Sequence, residues 1–172
     1  DAYEVGTKLG VFDNRLQVNA AAFHYNYRDK QLLTYFTDPI FGALQYLQNV
    51  PKSKVQGAEV TATWLPIRNL NLTALGSYVR TKVVEFEGQT ATGANYNFAG
   101  RPFNYAPKLQ ATLLANYTFT VAGSLNVNPG ISWTYAGETN STLEGDPLFV
   151  LNQHETIDVR IGFSAPGQRW TV

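Results

Sequence analysis

Two histidines, His24 and His154, are the residues of this chain best suited to hold a metal or move a proton. Such a site needs two or three convergent groups, and these are the only histidines. The run "HETID" from His154 lacks the second histidine of a zinc-protease helix and leads into an alternating, strand-like pattern. Hydrolysis there would need a Ser or Asp beside the imidazole. With no cysteine, thiolate metal sites and disulfides are excluded. No catalytic residue, metal or cofactor is expected. Binding chemistry is better represented. Tyr96, Phe98, Arg101, Phe103 and Tyr105 crowd one irregular stretch, and rings beside a guanidinium could hold a catecholate or a sugar by stacking and charge. The plainer alternative is that Gly100–Pro107 only turns the chain back.

The elements that must position these residues are strands. Polar and apolar residues alternate from end to end, the period of a sheet with one wet and one dry face. The pattern predicts strands at Tyr3–Phe12, Leu16–Thr37, Val55–Leu65, Leu70–Glu85, Leu109–Val121, Leu125–Tyr135 and about Thr156–Ser164. After them come a turn at Pro166–Arg169 and a stub, Trp170–Val172. In "KLQATLLANYTFTV" the residues Leu109, Ala111, Leu113, Ala115, Tyr117, Phe119 and Val121 make one unbroken apolar face. The phase slips near "AAAFHY", which predicts a bulge at Ala20–Ala22. Connections alternate too: Asp13–Arg15, Ile67–Asn69 and Ala122–Ser124 are short, whereas Asp38–Lys54, Phe86–Pro107 and Asn140–His154 are long.

Which face is the inside decides the class. A soluble sandwich or lipocalin-like barrel would turn the apolar faces inward, and a membrane barrel would turn them to lipid. The 172 residues carry 15% charged side chains, against about 25% in soluble domains. The polar faces hold Asn, Thr, Ser and Gln more often than the Lys and Glu common on soluble surfaces. Aromatics, with ten Tyr, ten Phe and three Trp in all, gather near strand ends (Trp64, Tyr117, Phe119, Trp133, Tyr135), as in interfacial girdles. Long loops on one rim and short turns on the other complete the membrane-barrel pattern. Zero net charge with no basic cluster in the sequence gives no footprint for nucleic acid. The sequons at Asn116–Thr118 and Asn140–Thr142 would be noise if the protein is bacterial. A single-chain barrel of this type starts and ends on the periplasmic side, so its first connection is a long loop. Here the first connection is short, and the expectation is an arc of a larger barrel.

Three stretches carry a family likeness. "YEVGTKLGVFDNRLQVNAAAFHYNYRDKQ" resembles a strand–turn–strand of the C-terminal half of TonB-dependent receptors. "VQGAEVTATWLPIRNLNLTALGSY" is similar to the segment that follows it there, and "FAGRPFNYAPKLQATLLANY" resembles that family's return from a long loop into a descending strand. The resemblance implies an all-β, antiparallel transmembrane β-barrel: about seven strands and a stub of a 22-stranded barrel. Residues 1–172 would be a partial receptor barrel, with the plug domain and closing strands outside this chain. It further implies bacterial outer-membrane lipid around the barrel and TonB-energised uptake of a scarce nutrient. The ligand would be a siderophore, with cobalamin or an oligosaccharide as further possibilities. An outer-membrane barrel enzyme, a porin and a soluble β-sandwich remain the competing classes. Under this reading Tyr96, Phe98, Arg101, Phe103 and Tyr105 contact ligand in an outer loop. Glu59, Arg80, Asp158 and Arg160 fall on the inner face, paired with one another or with the plug.

Overall fold

Alternation at period two produces strands, and the tight turns between them produce a meander. The computed structural model describes residues 1–90, 92–165, 170 and 172. Its strands are β1 (Ala2–Val11), β2 (Leu16–Asp38), β3 (Gly42–Trp64), β4 (Leu70–Glu85), β5 (Glu87–Gln89), β6 (Asn95–Asn97), β7 (Leu109–Tyr117), β8 (Phe119–Val121), β9 (Leu125–Ala136), β10 (Thr139–Asn140), β11 (Val150–Leu151) and β12 (His154–Ser164). The long strands pair antiparallel in the spatial order β1, β2, β3, β4, β7, β9, β12. The sheet is open, with β1 and β12 at its sides. β8 continues β7 in the same register on β9. The break at Thr118 falls opposite Asn128 and Pro129, and a proline has no N–H for the ladder. The predicted turn at Pro166–Arg169 lies outside the described residues, but Val172 pairs back on Phe163.

The short turns rely on left-handed backbone. Phe12, Asp13 and Asn14 all have φ between 54° and 62°, closed by the Arg15 N–H donating to the Phe12 carbonyl at 3.1 Å. Ala122 (φ 50°) and Gly123 (φ 67°) make the turn that returns the chain into β9. Two consecutive left-handed residues match the twist of the strands they join.

Register fixes the two faces. Leu16, Trp64 and Leu72 align across β2, β3 and β4, as do Ala74, Leu113 and Trp133 across β4, β7 and β9. That face stays open to its surroundings: Leu113 is 50% exposed, Ile131 49% and Val159 78%. A soluble sandwich would cover it with a second layer; among the described residues the sheet has only one layer there. The buried cluster lies elsewhere, on the opposite face beyond the apolar band. It comprises Leu32, Val50, Val83, Phe86, Phe98, Phe103 and Leu143.

Two sequence expectations are corrected. The bulge at Ala20–Ala22 does not exist: β1–β2 and β2–β3 pair in unbroken register through it. Even-numbered residues of β2 stay on the apolar face, so His24 follows Ala22 and Phe23, Tyr25 and Tyr27 line the inner face. The face really changes at Asp29, whose φ of 53° brings Lys30 to the side of Tyr27, its Nζ 4.9 Å from that ring. The Asp38–Lys54 connection is likewise no loop. β2 and β3 remain paired up to Asp38 opposite Gly42, far beyond the apolar band. The tip is held by Asp38, whose Oδ1 accepts the Ile40 and Phe41 N–H groups at 2.8 and 2.9 Å.

Candidate functional site

The loop end of the sheet is a folded rim. After β4 the chain crosses the inner face of the β2–β3 hairpin, and β5 pairs with the free edge of β2 through Gln89 and Tyr35. β6 returns beside β5, and the chain then runs back along β4, where the Val83 N–H donates to the Arg101 carbonyl at 2.8 Å. This crossing buries Phe86 against Phe98 (ring centroids 5.1 Å), with Tyr96 edge-on to Phe98 at 5.0 Å. Asn104 ties the rim together, its amide donating to the carbonyls of Leu33 and Ser141 at 3.4 Å each.

This packing divides the five residues expected to meet ligand. Phe98 is 1% exposed and Phe103 7%, so both are rim core and neither ring is free to stack on a ligand. Each apolar side chain found a dry pocket under the crossing loop, which spacing alone could not show. Tyr96 and Arg101 stay together at the surface of that core: Arg101 Nε donates to the Tyr96 hydroxyl at 3.0 Å, and its guanidinium carbon lies 5.5 Å from the ring centroid. Tyr105 is exposed and left-handed (φ 54°), anchored by its N–H to the Asn140 carbonyl.

Tyr96 opens onto a cleft of about 750 Å³ between the β2–β3 hairpin and the β5–β6 hairpin. Its walls are rich in neutral hydrogen-bonding groups: Tyr46, Gln48, Gln89, Asn95 and Asn97, with Glu87 as the carboxylate. Gln48 Oε1 accepts from the Tyr46 hydroxyl at 2.6 Å, and Gln89 Oε1 accepts the Thr37 N–H at 3.1 Å. Tyr46 packs edge-on to Phe36 at 5.3 Å. Fixed rings with orientable amides suit a planar, oxygen-rich small molecule. The Tyr46–Gln48 wall belongs to the Asp38–Lys54 stretch expected as a loop. The signal was present in "ALQYLQ", whose alternation continues that of β2 across a tight Pro-containing turn. At the hairpin tip, the backbone bonds from Phe41 and Ile40 hold the Asp38 carboxyl below the usual carboxylate range.

Three of the four expected inner-face charges are on the inner face. Glu59 pairs in register with Ala21 and Ser77 there. Asp158 and Arg160 share a small groove with Asn116 and Ser132. Arg160 donates to Asn116 Oδ1 at 2.6 Å, crossing directly over Gly130, where an added Cβ would meet both side chains at 2.7 Å. Arg80 is the correction. It shares a face with Tyr78, sits opposite Gln56, and lays its guanidinium 5.4 Å from the Tyr78 ring on the outward side. Even-numbered residues of β4 face outward from Leu70 to Lys82, ahead of the register shift that pairs Glu85 with Lys52, and the polar character of Arg80 marks the end of the apolar band. Among the described residues no three His, Asp or Glu side chains converge as a metal site.

A single-layered meander with a bare apolar face, a polar inner face and a rim of folded loops around a cleft has the architecture of a membrane β-barrel wall. Residues 1–172 match the family model described as TonB dependent receptor-like, β-barrel, and the chain belongs to that family. These are outer-membrane proteins of Gram-negative bacteria, receptors and not enzymes. The chain is 27% identical over 157 residues to the metal-pseudopaline receptor CntO of Pseudomonas aeruginosa, covering 91% of this chain and 20% of that protein. Its fold superposes with a TM-score of 0.70 on the ferric yersiniabactin uptake receptor FyuA of Yersinia pestis, at 19% identity, covering 94% of this chain and 22% of that one. For the siderophore receptor PiuA of Acinetobacter baumannii the TM-score is 0.67 at 21% identity, covering 98% and 22%. The chain thus spans about a fifth of the length of the relatives it matches.

Proposed function

We propose that this chain is an arc of the barrel of an outer-membrane receptor that captures a metal chelate, a ferric siderophore, at its loop end and imports it. The observation that carries the reading is the family match across the whole chain, in company with relatives named as siderophore and metal-chelate receptors. The cleft between the β2–β3 and β5–β6 hairpins supplies a capture surface of matching chemistry. Its rings would stack on a chelator's aromatic or amide planes, and its side-chain amides would bond to chelate oxygens. The Tyr96–Arg101 pair adds a positive charge near an anionic complex, and Tyr105 offers an exposed ring beyond it. On this reading the inner-face charges Glu59, Asp158 and Arg160 face a plug domain, and TonB supplies the energy for import. Both partners lie outside this chain.

The test uses the full-length protein. A strain deleted for the gene is grown under iron limitation on single ferric siderophores, with ferric citrate, cobalamin and an oligosaccharide as comparison nutrients. The expected result is loss of growth on one siderophore class, restored by the intact gene and not in a TonB-deficient background. Unchanged growth on every ferric siderophore, with loss on cobalamin or the oligosaccharide, would reject the metal-chelate assignment and keep the receptor.

A further inference from the structure

The upper half of the β2–β3 hairpin has two edges, and the chain treats them differently. On the β2 side, β5 adds as a further strand through Tyr35 and Gln89. Side chains close what β5 leaves: the Thr37 N–H donates to Gln89 Oε1 at 3.1 Å, and the Leu33 carbonyl accepts the Asn104 amide at 3.4 Å. On the β3 side, β4 pairs only from Lys52 downward. It ends at Glu85, and the chain after it crosses to the β2 side. Among the described residues no strand lies beside the outer edge of Gly42–Val50.

Register says which backbone groups that edge presents. In an antiparallel pair, residues directly opposite either bond to each other or both point away. Leu33, Tyr35 and Thr37 turn their backbone groups away from β3, toward Asn104 and β5, so their partners Leu47, Gln45 and Ala43 turn theirs away from β2. Asn49 continues the row by alternation. Ala43–Asn49 is thus about 20 Å of strand edge whose outward N–H and C=O groups have no ladder partner among the described residues. Proteins ordinarily blunt such an edge with a charge, a proline or a bulge. The run "GALQYLQNV", Gly42–Val50, holds neither charge nor proline, and its register on β2 is unbroken. Its side chains are open as well, Leu47 being 59% exposed.

Alternating amides and carbonyls along a straight, uncharged strand are complementary to another extended peptide backbone. A second copy in the same membrane is a poor source of one. Its β3 runs in the same direction and would meet this edge parallel, the weaker pairing. We infer that the β3 edge Ala43–Asn49 is a docking site for an extended segment of a partner polypeptide outside the cell, which adds as an antiparallel strand. The segment's backbone bonds to Ala43, Gln45, Leu47 and Asn49. Its side chains alternate between the cleft side, beside Leu44, Tyr46 and Gln48, and the outer side, beside Gln45 and Leu47. Those neighbours carry no charge, so they favour apolar and neutral polar side chains in the segment. The inference goes beyond nutrient capture, and the membrane reading enters it only in setting two copies parallel.

The test uses the purified full-length receptor and a fluorescent synthetic peptide copying Lys30–Thr37, the strand that β3 already pairs on its other side. Anisotropy should show saturable binding, at least tenfold tighter than for the same peptide N-methylated on every amide. Hydrogen exchange at Ala43, Gln45, Leu47 and Asn49 should be fast in the receptor alone and at least tenfold slower with peptide. Leu44, Tyr46 and Gln48, whose amides face β2, should stay slow in both. Gln45→Pro with Leu47→Pro removes two outward donors without touching the β2 ladder, and should weaken the peptide at least tenfold. Gln31→Pro, on the β2-side edge, should change nothing. If the double variant fails to give a heat-modifiable barrel, Leu47→Lys, which places a charge on the edge, should weaken binding at least threefold. Slow exchange of the row in the receptor alone would mean that another of its own segments covers the edge. Sedimentation as a dimer that the proline pair dissociates would mean that a second copy does. Either result would overturn the proposal, as would equal binding of the N-methylated peptide or unchanged binding in the proline variant. Growth on ferric siderophores is scored separately, so loss of the nutrient assignment leaves the peptide result standing, and the reverse.

Discussion

Leu113→Arg tests the facing of the whole sheet at one position. The outward residues of β7 are Leu109, Ala111, Leu113, Ala115 and Tyr117, so Leu113 is central, four residues or about 13 Å from either end of that row. Its register partners on the same face are Ala74 and Trp133, neither of which can pair with a guanidinium. An arginine there cannot reach water at either rim by extending its stem alone. The expected cost in the intact barrel is that of an arginine at the bilayer midplane, about 2–4 kcal/mol. That corresponds to roughly a 30- to 700-fold change in the folded-to-unfolded ratio. Thr112→Arg is the matched control, since Thr112 lies on the inner face between Leu75 and Thr134. Its cost should stay within about 0.5 kcal/mol, as for a solvated surface change. The assay is reversible urea titration of the full-length barrel refolded into lipid vesicles, read by tryptophan fluorescence and heat-modifiable gel mobility. Equal costs at the two positions, or a larger cost at Thr112, would refute the assignment of the Leu113 face to lipid.

Other outcomes follow from the same geometry. Phe98→Ala empties the centre of the rim core and should destabilise the crossing loop by about 3–5 kcal/mol. Proteolysis would then begin between β4 and β7 while the barrel keeps its heat-modifiable mobility. Gly130→Val forces Arg160 off Asn116 and should cost about 1–3 kcal/mol in urea titration; Gly130→Val combined with Arg160→Ala should recover part of the loss, because the contact with Arg160 is removed while that with Asn116 stays. The Asp38 carboxyl is depressed by its backbone bonds, so its contribution is complete above the ordinary Asp range and is lost as pH falls through the lower folded value. The protection factors of the Ile40 and Phe41 amides, which correct for the intrinsic pH dependence of exchange, should fall on acidification, and Asp38→Ala should make them low at every pH. Tyr46→Ala with Tyr96→Ala should weaken capture of the cognate ferric siderophore at least tenfold, about 1.4 kcal/mol. Tyr105→Ala should have a smaller effect, and unchanged affinity in the double variant would move recognition away from the cleft.

The sequence by itself determined the seven long strands where they cross the apolar band, which residues of most of them share a face, and the family. Each follows from local information: alternation dictates which residues share a face, and a tight turn such as Ala122–Ser124 fixes the register of its neighbours. Glu59, Asp158 and Arg160 could be placed by counting from the apolar row of their own strand. Beyond the band the count lost its meaning, because the apolar signal that marks the outward face ends there. Arg80 is polar, which alone suggests an inward position, yet β4 keeps its phase from Leu70 through Lys82. The β2 strand does change face, but at Asp29, where one left-handed residue decides it; the aromatic run after Ala22 is only the inner wall coming into view. The rim was the least legible part. Phe98 and Phe103 have the composition of a ligand surface, and only the crossing of the β5–β6 hairpin over β2 and β3, a contact between residues more than fifty apart such as Tyr35 and Gln89, decides that they are core. The cleft of Tyr46, Gln48 and Tyr96 arises from the same cause. Pairings between distant strands bring together side chains that no local period relates.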